Sequence, residues 1–94
     1  MQHEFVDAVE QHKKTPDTFW CPSEEELGKL ERDDHVKVCH NNERFWVMLT
    51  AVDGDNLEGV VDNELVFEQP FEIGDLVTFE KRNVYDYVYN NPKN

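Results

Sequence analysis

The stretch RFWVMLTAV, residues 44–52, is the strongest strand signal in this sequence. Side chains alternate between the two faces of a strand, and here both faces are apolar. One face carries Phe45, Val47, Leu49 and Ala51, and the other carries Trp46, Met48 and Val52. Such a strand belongs in the centre of a sheet, so we expect one face to be covered by sheet and the other by a helix or a closed barrel.

Turn signals separate this strand from further strands. Asparagines at 41–42 precede it and Asp-Gly-Asp-Asn at 53–56 follows it, and both Asn and Gly tolerate the positive φ of tight turns. A Gly-Asp pair at 74–75 makes a later turn. Period-two patterns predict strands at 35–39, 57–61, 76–80 and 84–89, with a brief extension at 65–67.

The first third of the chain predicts two short helices. An amphipathic pattern that starts at Phe5 predicts one helix ending near Lys14, before a proline. Ser23 and Glu26 have the spacing of a capping box, which predicts that a second helix runs over 24–32.

Two short helices followed by strands in series predict a single α+β domain over 1–94. We expect helices in 1–32, a sheet in 33–89 and a frayed tail at 90–94. The helices should pack on a small, strongly bent antiparallel sheet of about five strands, an SH3-like barrel or half-barrel.

A shared pattern occurs at 30–38 and 71–79. Each segment has an acidic turn followed by Asp-x-Val-x-apolar. We interpret it as one way of leading a turn into a strand, and not as a duplication of the chain.

Charge excludes several classes of function. With 21 acidic and nine basic residues in 94, the formal charge is −12. Direct nucleic-acid binding needs clustered Lys and Arg, and anionic lipid repels a chain of this charge. No apolar run approaches the roughly 20 residues that span a bilayer. We therefore expect a cytoplasmic protein with no direct contact to nucleic acid or membrane.

No arrangement of residues predicts a reaction, a cofactor or a metal. The four candidate zinc ligands are Cys21, His35, Cys39 and His40, and they lack the close spacing of a zinc site. The acidic loop at 53–64 has Leu57 and Glu58 where a calcium loop needs an oxygen ligand and a glycine. We expect free thiols, no catalytic residue and a protein that is not an enzyme, with a hydrolase or transferase as the alternative.

Residues 53–75 form the most acidic stretch, with eight carboxylates and no Lys or Arg. The stretch is interpreted as a solvated rim, or as an acidic face that steers a basic partner. The residues predicted for this acidic face are Asp53, Asp55, Glu58, Asp62, Glu64 and Glu68.

Aromatic residues near cations are the second functional signal. Alternation places Tyr85, Tyr87 and Tyr89 on one face of the last strand, and that face would be exposed if Val84 and Val88 pointed inward. Exposed aromatics beside an arginine can stack a base, a peptide or a partner helix. The predicted binding residues are Arg44, Trp46, Asn63, Arg82, Tyr85 and Tyr87.

Four short motifs carry a resemblance to a known family. They are the Trp-bearing strand at 44–47, the Gly59-x-x-x-Asn63 turn, the Gly-Asp turn at 74–75 and the closing segment at 84–87. Together they make residues 33–89 resemble the bacterial YegJ-like family, a domain of unknown function (2314). The sequence departs from that pattern at Val84, at Tyr87, and after Asn63, where the family tends to have a proline. The resemblance carries over no catalytic residue or cofactor.

Three hypotheses follow for function. The first is a non-enzymatic binding module, monomeric or homodimeric, that engages a protein partner, such as a basic one, through acidic and tyrosine-rich faces. The alternative is a sponge or sensor for a small, polar, nucleotide-like ligand, held at a dimer interface. A further alternative is a nucleic-acid mimic that inhibits a basic nucleic-acid-binding protein.

Overall fold

The fold was obtained as a computed structural model, which describes residues 5–14, 21–41, 43–66 and 69–90. Several predicted features lie outside the described residues, namely the end of the first helix at its proline, Asn42, Glu68 and residues 91–94. The elements in chain order are α1 (Ala8–Lys14), α2 (Glu24–Gly28), β1 (His35–His40), β2 (Glu43–Asp53), β3 (Asn56–Val61), β4 (Leu76–Glu80), a 3₁₀ turn (Lys81–Asn83) and β5 (Asp86–Val88).

The strands form one antiparallel sheet in the order β4-β3-β2-β1-β5. The predicted α+β class, the five strands and the central position of β2 are confirmed. In the part of the chain that the structure describes, β4 and β5 are the two edges and do not pair with each other. The sheet is therefore open, and a closed barrel is not what these strands form.

One face of the sheet is the core, and we call it the inner face. Phe45, Val47 and Leu49 point to this face from β2 and are at most 1% exposed. Their cover comes from α2 and from the segment before β4. The buried cluster consists of Leu27, Leu30, Val36, Val38, Phe45, Val47, Leu49, Leu57, Val61, Phe71, Val77, Phe79 and Val84.

The opposite face of β2 is only half covered. Trp46 and Met48 are partly exposed. Ala51, predicted on the face of Phe45, is exposed on this side, and Val52, predicted on the opposite face, packs against the inner cluster, because an additional residue at Thr50 reverses the alternation. The expectation that both faces of β2 are covered is therefore wrong on this side. We call this side of the sheet the outer face.

Both helices are shorter than predicted. Phe5 precedes α1 and packs its ring among Phe45, Phe71 and Phe79, at centroid distances of 6.2, 6.1 and 5.5 Å. The buried amide of Asn83 donates to the carbonyls of Phe5 and Val6, both at 3.2 Å, which anchors this entry segment outside the helix.

The second helix begins as predicted but ends early. Ser23 Oγ accepts from the Glu26 amide at 3.2 Å, and Glu26 Oε1 accepts from the Ser23 amide at 2.9 Å, which confirms the capping box. The helix ends at Gly28 because the chain then turns toward β1.

The two segments with a shared pattern make the same turn. The Glu31 amide donates to Asp34 Oδ2, and the Glu72 amide donates to Asp75 Oδ2, both at 2.9 Å. The residue before each aspartate has positive φ, 77° at Asp33 and 90° at Gly74. The first turn exchanges backbone hydrogen bonds with Leu49 and the second with Val61. The interpretation as a turn that leads into a strand agrees with this geometry.

A bulge at Thr50 bends the pairing of β2 with β3. The register steps from Leu49↔Gly59 to Ala51↔Glu58, so Thr50 is the additional residue. Gly59 is required beside it, because a Cβ there would lie 2.5 Å from Val47 Cγ1 and 2.6 Å from the Met48 carbonyl oxygen.

The last predicted strand is shorter than expected, Asp86–Val88, and Leu65 and Val66 form no strand.

Replacing Gly59 by Ala should destabilise the fold by about 1–3 kcal/mol, because the backbone of β2 must move to admit the methyl group. Gly28→Ala is the matched control, since nothing lies within 4 Å of a Cβ at that position. Urea unfolding of both variants measures the difference. Equal stabilities would show that β2 and β3 do not approach as closely as described.

Replacing Asp33 by Gly should stabilise the fold by about 0.5–1 kcal/mol, because a side chain at a φ of 77° is strained and glycine is not. Gly74→Ala, at the equivalent place in the second turn, should destabilise the fold. Thermal unfolding of the two variants tests the pair. A destabilised Asp33→Gly variant would contradict the equivalence of the turns.

Candidate functional site

The outer face presents a row of one side chain from each of the five strands, four of them apolar and one a histidine. The pairing register puts His35 beside Val88 and Met48, and Met48 beside Val60, which pairs with Leu76. The outer row therefore runs Val88, His35, Met48, Val60, Leu76. Its two ends are the exposed ones: Val88 is 56% exposed and Leu76 is 55% exposed.

The histidine in this row is held by a carboxylate. His35 Nε2 lies 2.8 Å from Asp62 Oδ2, and both side chains are partly exposed. The contact joins β1 to the residue that follows β3 across the width of β2.

Two cation–aromatic pairs lie on the outer face beside the row. Lys37 Nζ is 5.3 Å from the centroid of the Trp46 ring, and Arg44 Cζ is 4.7 Å from the centroid of the Tyr85 ring. Trp46 pairs with Lys37 across β1 and β2, and Arg44 is two residues from Trp46 on the same face. The structure thus brings together three predicted binding residues, Arg44, Trp46 and Tyr85.

Tyr85 is buried and keeps its proton to high pH. It is 7% exposed and packs with Ala8 and Cys39 in a small second cluster. Burial raises the pKa of Tyr85 to about 12, and Cys39 adds to this rise, while the Arg44 charge opposes it. The Tyr85 ring thus packs against the Arg44 guanidinium but is too buried to contact a partner itself.

The exposed row of tyrosines is not present. Tyr87 packs against the inner core and its hydroxyl donates to the side chain of Glu26. The hydroxyl of Tyr89 donates to the Glu26 carbonyl at 2.7 Å. Val88, in contrast, points outward. The prediction that Tyr85, Tyr87 and Tyr89 form one exposed row is therefore wrong, because Tyr87 and Tyr89 pack against the inner cluster and Tyr85 lies in the second cluster.

Asn63 and Arg82 contact other residues than Arg44. Asn63 Oδ1 accepts from the Trp46 amide at 2.5 Å, which continues the pairing of β2 where β3 has ended. Arg82 forms an ion pair with Asp7 beside α1. Asn63 has a backbone-capping role that accounts for an asparagine at this place.

The predicted acidic residues are distributed along β3 and its two ends. Glu58 lies on the outer face and accepts from the Thr50 hydroxyl at 3.2 Å, and Asp62 holds His35. Asp53 and Asp55 belong to the exposed turn between β2 and β3. Glu64 is exposed in the following segment. These carboxylates form a border along the outer face and do not form one compact cluster.

Sequence reasoning missed most of the outer row. Only register reveals it, because the row takes one residue from each strand. Alternation already separated Met48 from Val47, and the same argument assigns Val60 and Leu76 to the face opposite Val61 and Val77. Val88 was assigned to the interior because the burial of Tyr87 was not visible in the pattern.

The cysteines and histidines do not converge. Cys21 and Cys39 are not joined by a disulfide and both belong to or contact the same small cluster, and burial, followed by the Asp7 charge, raises the pKa of Cys21. His40 Nδ1 lies 2.6 Å from Gln69 Oε1, away from His35. Over the described ranges, no three side chains of His, Cys, Asp and Glu come together in a way that could hold a metal ion.

The helices of the described residues are too short or too polar to cross a membrane.

A family model described as an uncharacterized protein conserved in bacteria (DUF2314) matches residues 2–94. The chain therefore belongs to the DUF2314 family, and the match extends beyond residues 33–89 into the helical part. A comparison with curated proteins and with solved structures found no significant match.

Part of the tyrosine absorbance change at alkaline pH should titrate with a pKa of about 12, and Tyr85→Phe should remove that part. A pKa raised in the folded state means that Tyr85 stabilises the fold fully below the unfolded value near 10, and that this stability is lost as the pH rises toward 12. Absorbance titration and unfolding at pH 9 to 12 measure both effects. Full titration of the wild type near pH 10 would contradict the burial of Tyr85.

Proposed function

We propose that this member of the DUF2314 family is a non-enzymatic protein-binding module whose outer face engages a basic partner protein. The observation that carries the proposal is the outer row. This row, with four apolar side chains and His35, stays partly exposed and lies outside the core cluster, which is on the inner face. Exposed apolar surface of this kind, bordered by polar residues, is typical of an interaction site.

The charge around the row indicates the class of partner. Four carboxylates, Glu58, Asp62, Glu80 and Asp86, border the outer face or follow its strands, against the three cations Lys37, Arg44 and Lys81. The whole chain carries −12. A basic protein would be steered toward this face over a distance of about a Debye length, and a second acidic chain would be repelled.

The strand connectivity supports an SH3-like half-barrel as the finer description of the fold. Four strands follow one another as a meander, and β5 returns beside β1 after the 3₁₀ turn. The bulge at Thr50 bends the long central strand, as a half-barrel requires. In small folds of this type, the functional residues lie at surface positions that are not needed for the core.

One specific observation supports the small-ligand hypothesis. The two cation–aromatic pairs, Lys37 with Trp46 and Arg44 with Tyr85, lie side by side on the outer face. A flat anionic ligand could stack beside Trp46 and pair with the cations. The nucleic-acid mimic remains the most specific form of the basic-partner proposal, with the carboxylates along β3 in the place of phosphates.

A photo-crosslinking residue, p-benzoyl-phenylalanine, placed at Leu76 or at Val88 tests the proposal in bacterial cells that express the chain. Both positions lie on the outer row and are exposed, so the fold should tolerate the change. Each variant should give one discrete adduct with the same protein. Mass spectrometry should identify that protein as one with an excess of Lys and Arg.

Glu25 on α2 is the matched control position, because its side chain is 83% exposed and distant from the outer row. Crosslinks from Glu25 equal to those from Leu76, or adducts with an acidic protein, would overturn the proposal. A native mass spectrum with a small-molecule increment that Arg44→Ala and Lys37→Ala remove would favour the small-ligand hypothesis instead.

A further inference from the structure

Among the described residues, no strand pairs with the side of β4 that faces away from β3. Val61 exchanges backbone hydrogen bonds with Gly74 and Asp75 before the strand, and the Lys81 amide donates to the Asp55 carbonyl after it, at 2.9 Å. Hydrogen-bonded and non-hydrogen-bonded pairs alternate in an antiparallel ladder. Given the pairing Val60↔Leu76 and Glu58↔Thr78, the backbone groups of Leu76 and Thr78 point away from β3.

No described residue bonds these groups. The amide of Glu80, which also points outward, donates to Asn83 Oδ1 at 2.8 Å. Within the ranges that the structure describes, the amide and the carbonyl of Leu76 and of Thr78 have no such partner. β4 contains no Lys or Pro that would block an added strand.

A hollow with two carboxylates lies beside this edge. It has a volume of about 290 Å³ and is lined by Ala51, Asp53, Asn56, Leu57, Glu58, Thr78 and Phe79. Glu58 is directly across from Thr78 in the register. No cation lines the hollow among the described residues, so an incoming ammonium or guanidinium group would be the first positive charge there.

We propose that β4 accepts an extended basic segment of the partner protein as a sixth strand, with a Lys or Arg over Thr78 that reaches Glu58. This inference rests on the proposed function and adds the mode of binding to it. Backbone bonds to Leu76 and Thr78 hold the segment, as in other cases of strand addition. The charge of the hollow selects a basic segment.

The register also sets the spacing of the recognised residues. Leu76 and Thr78 are two residues apart, so the partner residues beside them are also two apart and on one face. The residue beside Leu76 extends the outer row and should be apolar, because Val60 and Leu76 form the floor there. For a strand added antiparallel to β4, the partner segment therefore has the pattern basic-x-apolar.

A second copy of this chain is a poor occupant of the edge. Each copy carries −12, and the carboxylates in or just before β4 are Glu72, Asp75 and Glu80, against Lys81 at its end. Two such edges placed side by side would bring like charges together. A basic segment would instead bring opposite charges together at this edge.

Two capped eight-residue peptides test the inference with the full chain. The first places Lys and Val alternately on one face and Thr on the other, and the second has Glu in place of Lys. The Lys peptide should protect the amides of Leu76 and Thr78 from hydrogen exchange and should bind about tenfold more tightly than the Glu peptide. Thr78→Pro should abolish this binding, since it removes the outward amide, whereas Thr78→Ala should retain it.

Glu58→Lys is the second variant, in case Thr78→Pro does not fold. It should reverse the preference between the two peptides. Protection absent from Leu76 and Thr78, an unchanged preference in Glu58→Lys, or edge-to-edge dimers without peptide would each overturn strand addition. If the Lys peptide instead changes only the NMR amide signals of Trp46, Met48 and Val60, strand addition is wrong while the outer-face proposal stands.

Discussion

The burial of one face of β2 is the constraint on which the rest of the structure depends. Phe45, Val47 and Leu49 are at most 1% exposed, and nearly every other element either pairs with β2 or covers these side chains. A chain of this length has limited apolar material for cover, and α2 with the segment before β4 places it on the inner face. Trp46 and Met48 are therefore left on a half-exposed outer face, and this is the surface to which we assign binding.

The acidic residues of the chain have two different uses. Asp34 is fully buried and accepts the amides of Glu31 and Asn90, which ties the segment after β5 to the turn before β1. Glu43 is buried and accepts the amide of Val66 at 2.6 Å. Buried carboxylates with backbone donors hold segments together that are distant in sequence. Among the exposed carboxylates, those along β3 and next to β4 are the ones that we assign to the partner.

The tyrosines show where reasoning from the pattern fails. Alternation correctly put Tyr87 and Tyr89 on the face opposite Val88, but it could not say which face is inside. The hydroxyls of both tyrosines bond to Glu26, so α2, which is distant in sequence, decides the orientation of β5. A tyrosine with a partner for its hydroxyl can be covered as readily as a valine, and hydropathy alone does not distinguish the two cases.

The sequence by itself determined the class of the fold, the strand order along the chain, the central role of residues 44–52, the capping box at Ser23 and the family. These features are local, because period, turn residues and caps act within a few residues. The tertiary structure decided which face of each strand is buried, that the sheet stays open, and that Val88, His35, Met48, Val60 and Leu76 meet in one row. These features depend on register between strands and on competition for a small amount of apolar cover, and neither is encoded in the neighbours of a single residue.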